Sequence, residues 1–347
     1  MKNIHRRGQS TLAIYLDVGT TNTRAWLLDG SRIVAKAVRP IGVRDTARDR
    51  SKTRIHTAVA ELIEEMRIEA RDSSPSAVPS CVAAAGMSSS PLGLADIPHA
   101  PAPAGIRELA ASSQWLDLPE VTDLPILLVP GVRTGRNWGS TDSSTYCSGD
   151  SIGDTDVMRG EETLCVGLTS LGLVRPPAVL LNLGSHWKAI VVDGEARIAS
   201  SLTTLSGELI HSAQTQTVLA SSVIGERPEK LDYHWIEAGM KEQRRSGLPR
   251  ALFCVRLLEL AGQGSREDRL AFMIGAFVAA DLDLFIARGV FAYNTRAVIA
   301  GSPPLAEAWR SALESMSITA AALNPDQVDQ AMLGGLRSIL LHSYQHG

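Results

Sequence analysis

Two stretches of the chain carry one pattern: Leu16-Asp17-Val18-Gly19-Thr20-Thr21-Asn22-Thr23-Arg24-Ala25-Trp26-Leu27-Leu28-Asp29-Gly30 and Leu181-Asn182-Leu183-Gly184-Ser185-His186-Trp187-Lys188-Ala189-Ile190-Val191-Val192-Asp193-Gly194. In each, an apolar strand ends at a glycine, small hydroxyl and amide residues follow, a second apolar strand runs out, and Asp-Gly closes it. Asp-Gly between apolar runs is a strong hairpin signal, because a type I′ turn needs positive φ at both central residues. A third apolar segment follows each copy, at 32–38 and 196–202, so each half is expected to open with a three-stranded antiparallel meander. The copies align if one residue is deleted from the second turn, which sets Lys188 against Arg24. A repeat at half the chain length is too long for a solenoid and fits a duplicated domain, with a shared ligand expected in the interdomain cleft.

A chain of 347 residues can form two domains with cores of their own. Its 44% hydrophobic content and net charge of −3 fit a globular enzyme and lack the basic surplus of a nucleic-acid binder. Cys81, Cys147, Cys165 and Cys254 contain no C-x-x-C pair, so reduced thiols are expected rather than a zinc site or a disulfide framework. The apolar run at 12–16 is too short for a signal-peptide core, and no stretch approaches the roughly 18 apolar residues of a membrane span. A cytoplasmic protein with neither a nucleic-acid nor a membrane partner is the expectation.

Apolar residues at helical spacing predict helices over 54–71 and 326–344, and a helix over 266–288 that is apolar on nearly all sides. Shorter helices are read near 106–112 and over 206–219. Strands are read at 81–85, running into Gly86-Met87-Ser88-Ser89-Ser90, at 124–129, and at 298–301, where Ser302-Pro303-Pro304 opens a helix. Residues 135–156 are mostly Gly, Ser, Thr, Asp and Asn, which predicts a mobile surface loop serving as connection or flap. The domains are expected at 1–135 and 136–325, with the C-terminal helix 326–345 packing back on the first.

The first turn has the parts of a phosphate grip. Gly19 lets backbone approach a ligand, Thr20, Thr21 and Asn22 offer hydroxyl, amide and N–H groups, Arg24 brings a positive charge, and Asp17 can hold a hydrated Mg²⁺. Gly184, Ser185 and Lys188 repeat the arrangement, although Lys188 reads equally as a solvated strand residue. A second cluster, Asp156-Val157-Met158-Arg159-Gly160-Glu161-Glu162-Thr163, enters an apolar helix at 164–168. Carboxylates at a helix start complement its dipole, so either glutamate can be a cap; the alternative is that one is a general base taking an alcohol proton in phosphoryl transfer.

With these motifs, the chain resembles the 2-dehydro-3-deoxygalactonokinase family, sugar-acid kinases of the actin-like and sugar-kinase ATPase superfamily. The matching stretches run in order: 17–26, Ile41-Gly42-Val43, Ala85-Gly86-Met87, Val129-Pro130-Gly131, 157–163, 184–188, Ser206-Gly207-Glu208-Leu209, Ala238-Gly239, Ile274-Gly275-Ala276, Ala300-Gly301-Ser302 and Leu336-Arg337-Ser338. The resemblance implies an α/β protein of two ribonuclease H-like domains, each a mixed sheet flanked by helices. It implies ATP- and Mg²⁺-dependent transfer of the γ-phosphoryl group to the C6 hydroxyl of 2-dehydro-3-deoxygalactonate, with Glu161 at the base position and Glu162 as its rival. Asp17 then holds Mg²⁺, Arg24 and Lys188 supply catalytic charge, Gly184-Ser185 is the second phosphate motif, and Gly301-Ser302 lies against the adenosine. Ser88, Arg159, Glu162 and Glu208 are candidate contacts to the sugar acid, and a homodimer is compatible with the reading. Val18 stands where the family usually has Trp, Phe277 where an acid is expected, Ser302-Pro303-Pro304 replaces a Thr/Ser-rich turn, and the 135–156 loop is longer than usual. The competing readings are an actin-like nucleotide switch and a kinase for a related acid such as 2-dehydro-3-deoxygluconate.

Overall fold

The computed structural model describes residues 12–74, 76–135, 152–226, 228–291 and 295–346. They form two compact units, one containing the described residues up to Leu173 and those from Asp329 onward, the other Val174–Val328. The expected boundary at 135/136 therefore falls inside the first unit, and the charged cluster at 156–163 belongs with the first copy of the repeat. Most of the expected 135–156 loop, residues 136–151, lies outside the described residues.

The first unit runs β1 (Leu12–Val18), β2 (Thr23–Asp29), β3 (Arg32–Arg39), α1 (Val43–Asp49), α2 (Thr53–Ser73), β4 (Val82–Gly86), β5 (Ala100–Pro101), α3 (Ile106–Ser112), β6 (Gln114–Leu116), β7 (Ile126–Leu128), β8 (Val132–Thr134), β9 (Asp156–Met158) and α4 (Glu161–Ser170). Its main sheet has the order β3-β2-β1-β4-β7-β6, and β5-β8-β9 make a small second sheet. The second unit runs β10 (Ala178–Leu183), β11 (Trp187–Val192), β12 (Ile198–Thr204), α5 (Ser206–Gln216), α6 (Tyr233–Ser246), α7 (Leu248–Leu260), α8 (Arg266–Ala287), β13 (Arg296–Gly301), α9 (Pro303–Ser315) and β14 (Ala320–Ala322), with the sheet order β12-β11-β10-β13-β14. The last helix, α10 (Pro325–His346), starts in the final residues of the second unit and continues in the first.

Both main sheets are the same device, an antiparallel meander whose first strand pairs in parallel with a later strand, which pairs in parallel with another. This is the ribonuclease H-like topology, present twice. The correspondence holds residue by residue: Asp17 faces Arg24 across β1 and β2, and Asn182 faces Lys188 across β10 and β11. The register shift falls between Leu27 and Leu28 in one copy and between Val191 and Val192 in the other, the same position counted from Arg24 and Lys188. The Asp-Gly turns differ from the expected type I′. In the first only Gly30 has positive φ (63°), while in the second the left-handed residue is Ala196 (61°), two places later. Asp193 braces that longer turn, accepting the backbone N–H groups of Glu195 and Arg197 at 2.9 Å each.

The cores follow the periodicities. Ile55, Val59, Leu62, Ile63 and Met66 of α2 pack with Ile14, Leu16 and Val18 of β1. Burying a side chain of this size contributes about 1.5–3 kcal/mol. In the second unit Trp187 meets Trp309 edge-on at 5.6 Å, and Phe285 stacks on Trp309 at 5.9 Å. Helix α8 is the one described helix long and apolar enough to cross a membrane, and 72% of that window is buried inside the protein. Phe277 lies in this core at 1% exposure, so the departure there fills a packing position.

Candidate active site

In the first unit three chain segments converge where β1 and β4 end and α4 begins. Gly86, at the end of β4, has φ +70°, and a β-carbon there would lie 2.6 Å from the Val18 carbonyl oxygen and 2.9 Å from Asp17 Oδ1. Gly160, before α4, has φ +106°, and its β-carbon would lie 3.4 Å from the Gly86 Cα. Both positions favour glycine by conformation, and Gly86 also by proximity. The result places Glu161, the first residue of α4, close enough to Asp17 for the two carboxylates to raise Asp17's pKa together with burial. Burial is the larger cause; Arg24 opposes it, Asp329 and Glu161 add to it, and the Asp17 carboxyl is pushed up to about 6. Helix α4 is fixed from its far side by α10, since Gly335 packs on the Thr163 carbonyl and Gly167 on the Ala331 carbonyl with no room for a β-carbon.

The adjacent glutamates have different surroundings. Glu161 is partly exposed, whereas Glu162 is fully buried. The Gly160 N–H donates to both Glu162 oxygens, at 2.9 and 2.7 Å, and Thr163 Oγ1 donates at 3.2 Å. Burial, then the neighbouring Glu161 charge, pushes the Glu162 carboxyl up to about 7 against those hydrogen bonds. Ser88 is also fully buried, donating to the Ala85 carbonyl at 2.9 Å. Arg159 donates to the Ser89 carbonyl, to Ser89 Oγ at 2.8 Å and to the Ile97 carbonyl at 3.0 Å. Ser88, Arg159 and Glu162, expected as substrate contacts, are thus engaged with the chain itself, as buried polar groups must be satisfied. Their geometry fixes the loop from Ser88 to Ile97 and the approach to Glu161.

The first turn presents Thr20, Thr21 and Asn22 to solvent and is closed by the Gly19 N–H on the Asn22 carbonyl at 2.8 Å. Helix α1 braces it from behind: Val43 and Arg44 N–H groups donate to the Gly19 and Thr20 carbonyls at 3.2 and 3.0 Å. Gly42 touches the same carbonyls, held by the Asp45 carboxylate on its N–H at 3.1 Å. Arg24 pairs with Asp329 of α10 at 3.1 Å, and Lys36 takes the other carboxylate oxygen at 2.8 Å.

In the second unit Gly184, Ser185 and His186 are exposed at the equivalent turn, and Lys188 is buried at 4% rather than solvated. Gly207, in the first turn of α5, packs where a β-carbon would lie 2.3 Å from the Gly184 carbonyl oxygen and 2.6 Å from that of Ser185. Glu208 reaches His186 at 3.3 Å. Gly301 ends β13 beside Leu183, and Ser302 precedes the two prolines that start α9. Asp281 of α8, buried at 5% exposure, accepts Thr204 Oγ1 at 2.6 Å and the Ser206 hydroxyl, and burial pushes its carboxyl up to about 6.

Asp329 and Asp281 are the residues that sequence reasoning missed. Asp281 left a signal, a charge on the inner side of a helix otherwise apolar around it; Asp329 left none, since an acid near a helix start is ordinary.

A family model described as 2-keto-3-deoxy-galactonokinase matches residues 17–339. The 2-dehydro-3-deoxygalactonokinase of Escherichia coli strain K12 is 25% identical over 328 residues, covering 94% of this chain and 96% of its own. A Sinorhizobium meliloti protein assigned as a 2-dehydro-3-deoxygalactonokinase has a crystal structure that superposes with a TM-score of 0.71 at 21% identity, over 94% of this chain and 97% of that one. That likeness shows a shared fold.

Proposed function

Because the chain belongs to the 2-keto-3-deoxy-galactonokinase family, we propose that it moves the γ-phosphoryl group of ATP to the C6 hydroxyl of 2-dehydro-3-deoxygalactonate, with Glu161 as general base. That it is a kinase with a sugar-acid alcohol as acceptor and ATP as donor follows from the family; the position and the base are the further step. The hydroxyl oxygen attacks the γ-phosphorus, the bond to the β,γ-bridging oxygen breaks, ADP leaves, and the hydroxyl proton passes to Glu161. Phosphoryl transfer requires mainly positioning, charge neutralisation and one carboxylate placed for that proton.

The observation that carries the reading is the contrast at the start of α4. Glu161 is partly exposed beside the Asp17 carboxylate, while Glu162 is buried with both oxygens on the Gly160 N–H. Glu161 is accessible to a substrate; Glu162 is sealed from one.

The residues also fit the other participants. Among the described residues no three His, Cys, Asp or Glu side chains gather as a metal site. Mg²⁺ that arrives on nucleotide phosphates needs no such cage, since one carboxylate and retained waters complete its shell. Asp17 would hold it, and its charge would neutralise the phosphate oxygens. Thr20, Thr21 and Asn22 offer donors to phosphate on the first unit, Gly184 and Ser185 do so on the second with Lys188 behind them, and Gly301-Ser302 would meet the adenosine.

The test is ADP release with ATP and Mg²⁺, with and without 2-dehydro-3-deoxygalactonate, with 2-dehydro-3-deoxygluconate as comparator. Glu161→Gln is expected to lower kcat by about 10²–10⁴ with the fold intact, and Glu162→Gln to lower it by less than about tenfold. The product's phosphorus-to-proton couplings identify the esterified hydroxyl. Hydrolysis indifferent to the acid and to Glu161 would replace this reading with a nucleotide switch.

A further inference from the structure

The Gly184 turn rests on a chain of contacts that ends at a carboxylate outside every motif. Gly207 touches the Gly184 and Ser185 carbonyl oxygens so closely that any movement of the start of α5 moves the turn. The residue before it, Ser206, is buried, and its hydroxyl and that of Thr204 both go to Asp281. Leu205, the residue preceding α5, gives that helix no side-chain cap. Thr204 also stands opposite Trp187 on β11, directly after the turn. Asp281 thus reaches both chain segments that leave the brace, β12 and α5, from a helix that is itself fixed by a large apolar core.

The first copy does this differently. There Gly42 is held by Asp45, three residues away in the same helix start, and Thr23 Oγ1 donates to the Ile41 carbonyl at 2.8 Å. The second copy has no acid three residues after Gly207; Ile210 occupies that place.

We infer that Asp281 is a positioning residue for nucleotide binding: through Thr204, Ser206 and Gly207 it sets the Gly184–Ser185 turn in the conformation that receives phosphate. The inference rests on the kinase reading above. Asp281 touches no substrate in it; it acts through the brace. A buried carboxylate held by two hydroxyls is a costly way to obtain stability alone, because an apolar residue of similar size would often serve as well. A fixed oxygen aimed at two hydroxyls supplies geometry.

The test is titration with a non-hydrolysable ATP analogue and Mg²⁺ in the absence of sugar acid, followed by KM values for both substrates. Asp281→Asn keeps an acceptor oxygen for Thr204 and is expected to bind within about threefold of wild type. Asp281→Leu is expected to weaken nucleotide binding at least tenfold while the KM for the sugar acid changes less than twofold. Thr204→Val with Ser206→Ala, which leaves Asp281 in place, is expected to reproduce that loss, and the combination with Asp281→Leu to add little to it. Wild-type affinity in folded Asp281→Leu, or in the hydroxyl double variant should Asp281→Leu not fold, overturns the inference, as does an equal loss for both substrates. Failure of wild-type protein to bind nucleotide at all overturns the kinase reading and this inference with it.

Discussion

The Gly19 turn and the Gly184 turn share a backbone and differ in chemistry. Strand register, the position of the bulge and the glycine that braces the turn are the same. Asp17 against Asn182, Arg24 against Lys188 and Thr23 against Trp187 are not. The first copy carries a carboxylate among other carboxylates, with its cation paired at the surface to Asp329; the second carries a neutral amide and a buried lysine. A duplicated fold can therefore keep its frame while its charges specialise, because register is set by the apolar pattern along the whole strands and survives changes at the few positions beside the turn.

Exchanging charges is the most severe challenge to this comparison. Asp17→Asn is expected to lower kcat by about 10²–10³, and Asn182→Asp added to it is expected to restore nothing, since the second carboxylate is in the wrong copy. Steady-state kinetics on the single and double variants decides; recovery in the double variant would make the copies interchangeable and defeat the comparison.

The paired glycines at the strand ends come next. Gly86→Ala meets a positive φ and two oxygens, and is expected to cost about 2–4 kcal/mol in urea unfolding. Gly301→Ala meets only the Leu183 side chain and is expected to cost about 1–2 kcal/mol. Equal losses would mean that the two strand ends are under the same constraint.

A smaller effect separates Glu162 from its neighbour by pH. The folded-state pKa of Glu162, about 7, lies above its ordinary value of 4.5, so the unfolded chain releases this proton first. Its stabilising contribution is whole below pH 4.5 and declines as pH rises to about 7. Glu162→Gln removes that titration. Its stability relative to wild type is expected to improve by about 1–3 kcal/mol between pH 5 and pH 8 in chemical denaturation. A pH-independent difference would place the ionisation elsewhere. Smallest is Ala196→Gly, which relieves a left-handed alanine found only in the second hairpin and is expected to gain about 1 kcal/mol, with no counterpart gain at Gly30.

Much of this architecture was legible beforehand, for local reasons. The meanders were visible because alternating apolar strands and Asp-Gly turns lie next to each other in the chain, and α2 was visible from the spacing of Ile55, Val59, Leu62, Ile63 and Met66. Helices α6 and α7 and the small β5-β8-β9 sheet were not read: α6 is highly charged, and each strand of that sheet has only two or three residues. At the site, Asp17 and Glu161 stood out because their motifs are contiguous. Asp329 did not, and the lone acid at Asp281 did not reveal its role, because their partners are 305 and 77 residues away. Glu162 and Ser88 looked like ligands from composition and proved to be buried, a property that a motif does not carry.

Helix α10 has a bearing on how the protein is made. The second unit is one uninterrupted segment, Val174–Val328, whereas the first is completed only by residues from Asp329 onward. Those residues supply Gly335 against α4, Tyr344 against Trp115 and Cys81, and the buried Leu336, Ile339 and Leu340. The whole of the inserted segment is synthesised before Asp329, whereas the N-terminal strands can meet the residues from Asp329 onward only after the last helix has been translated. The unit that begins synthesis is therefore the one whose chain is completed last, whereas domains are usually finished from the N-terminus onward.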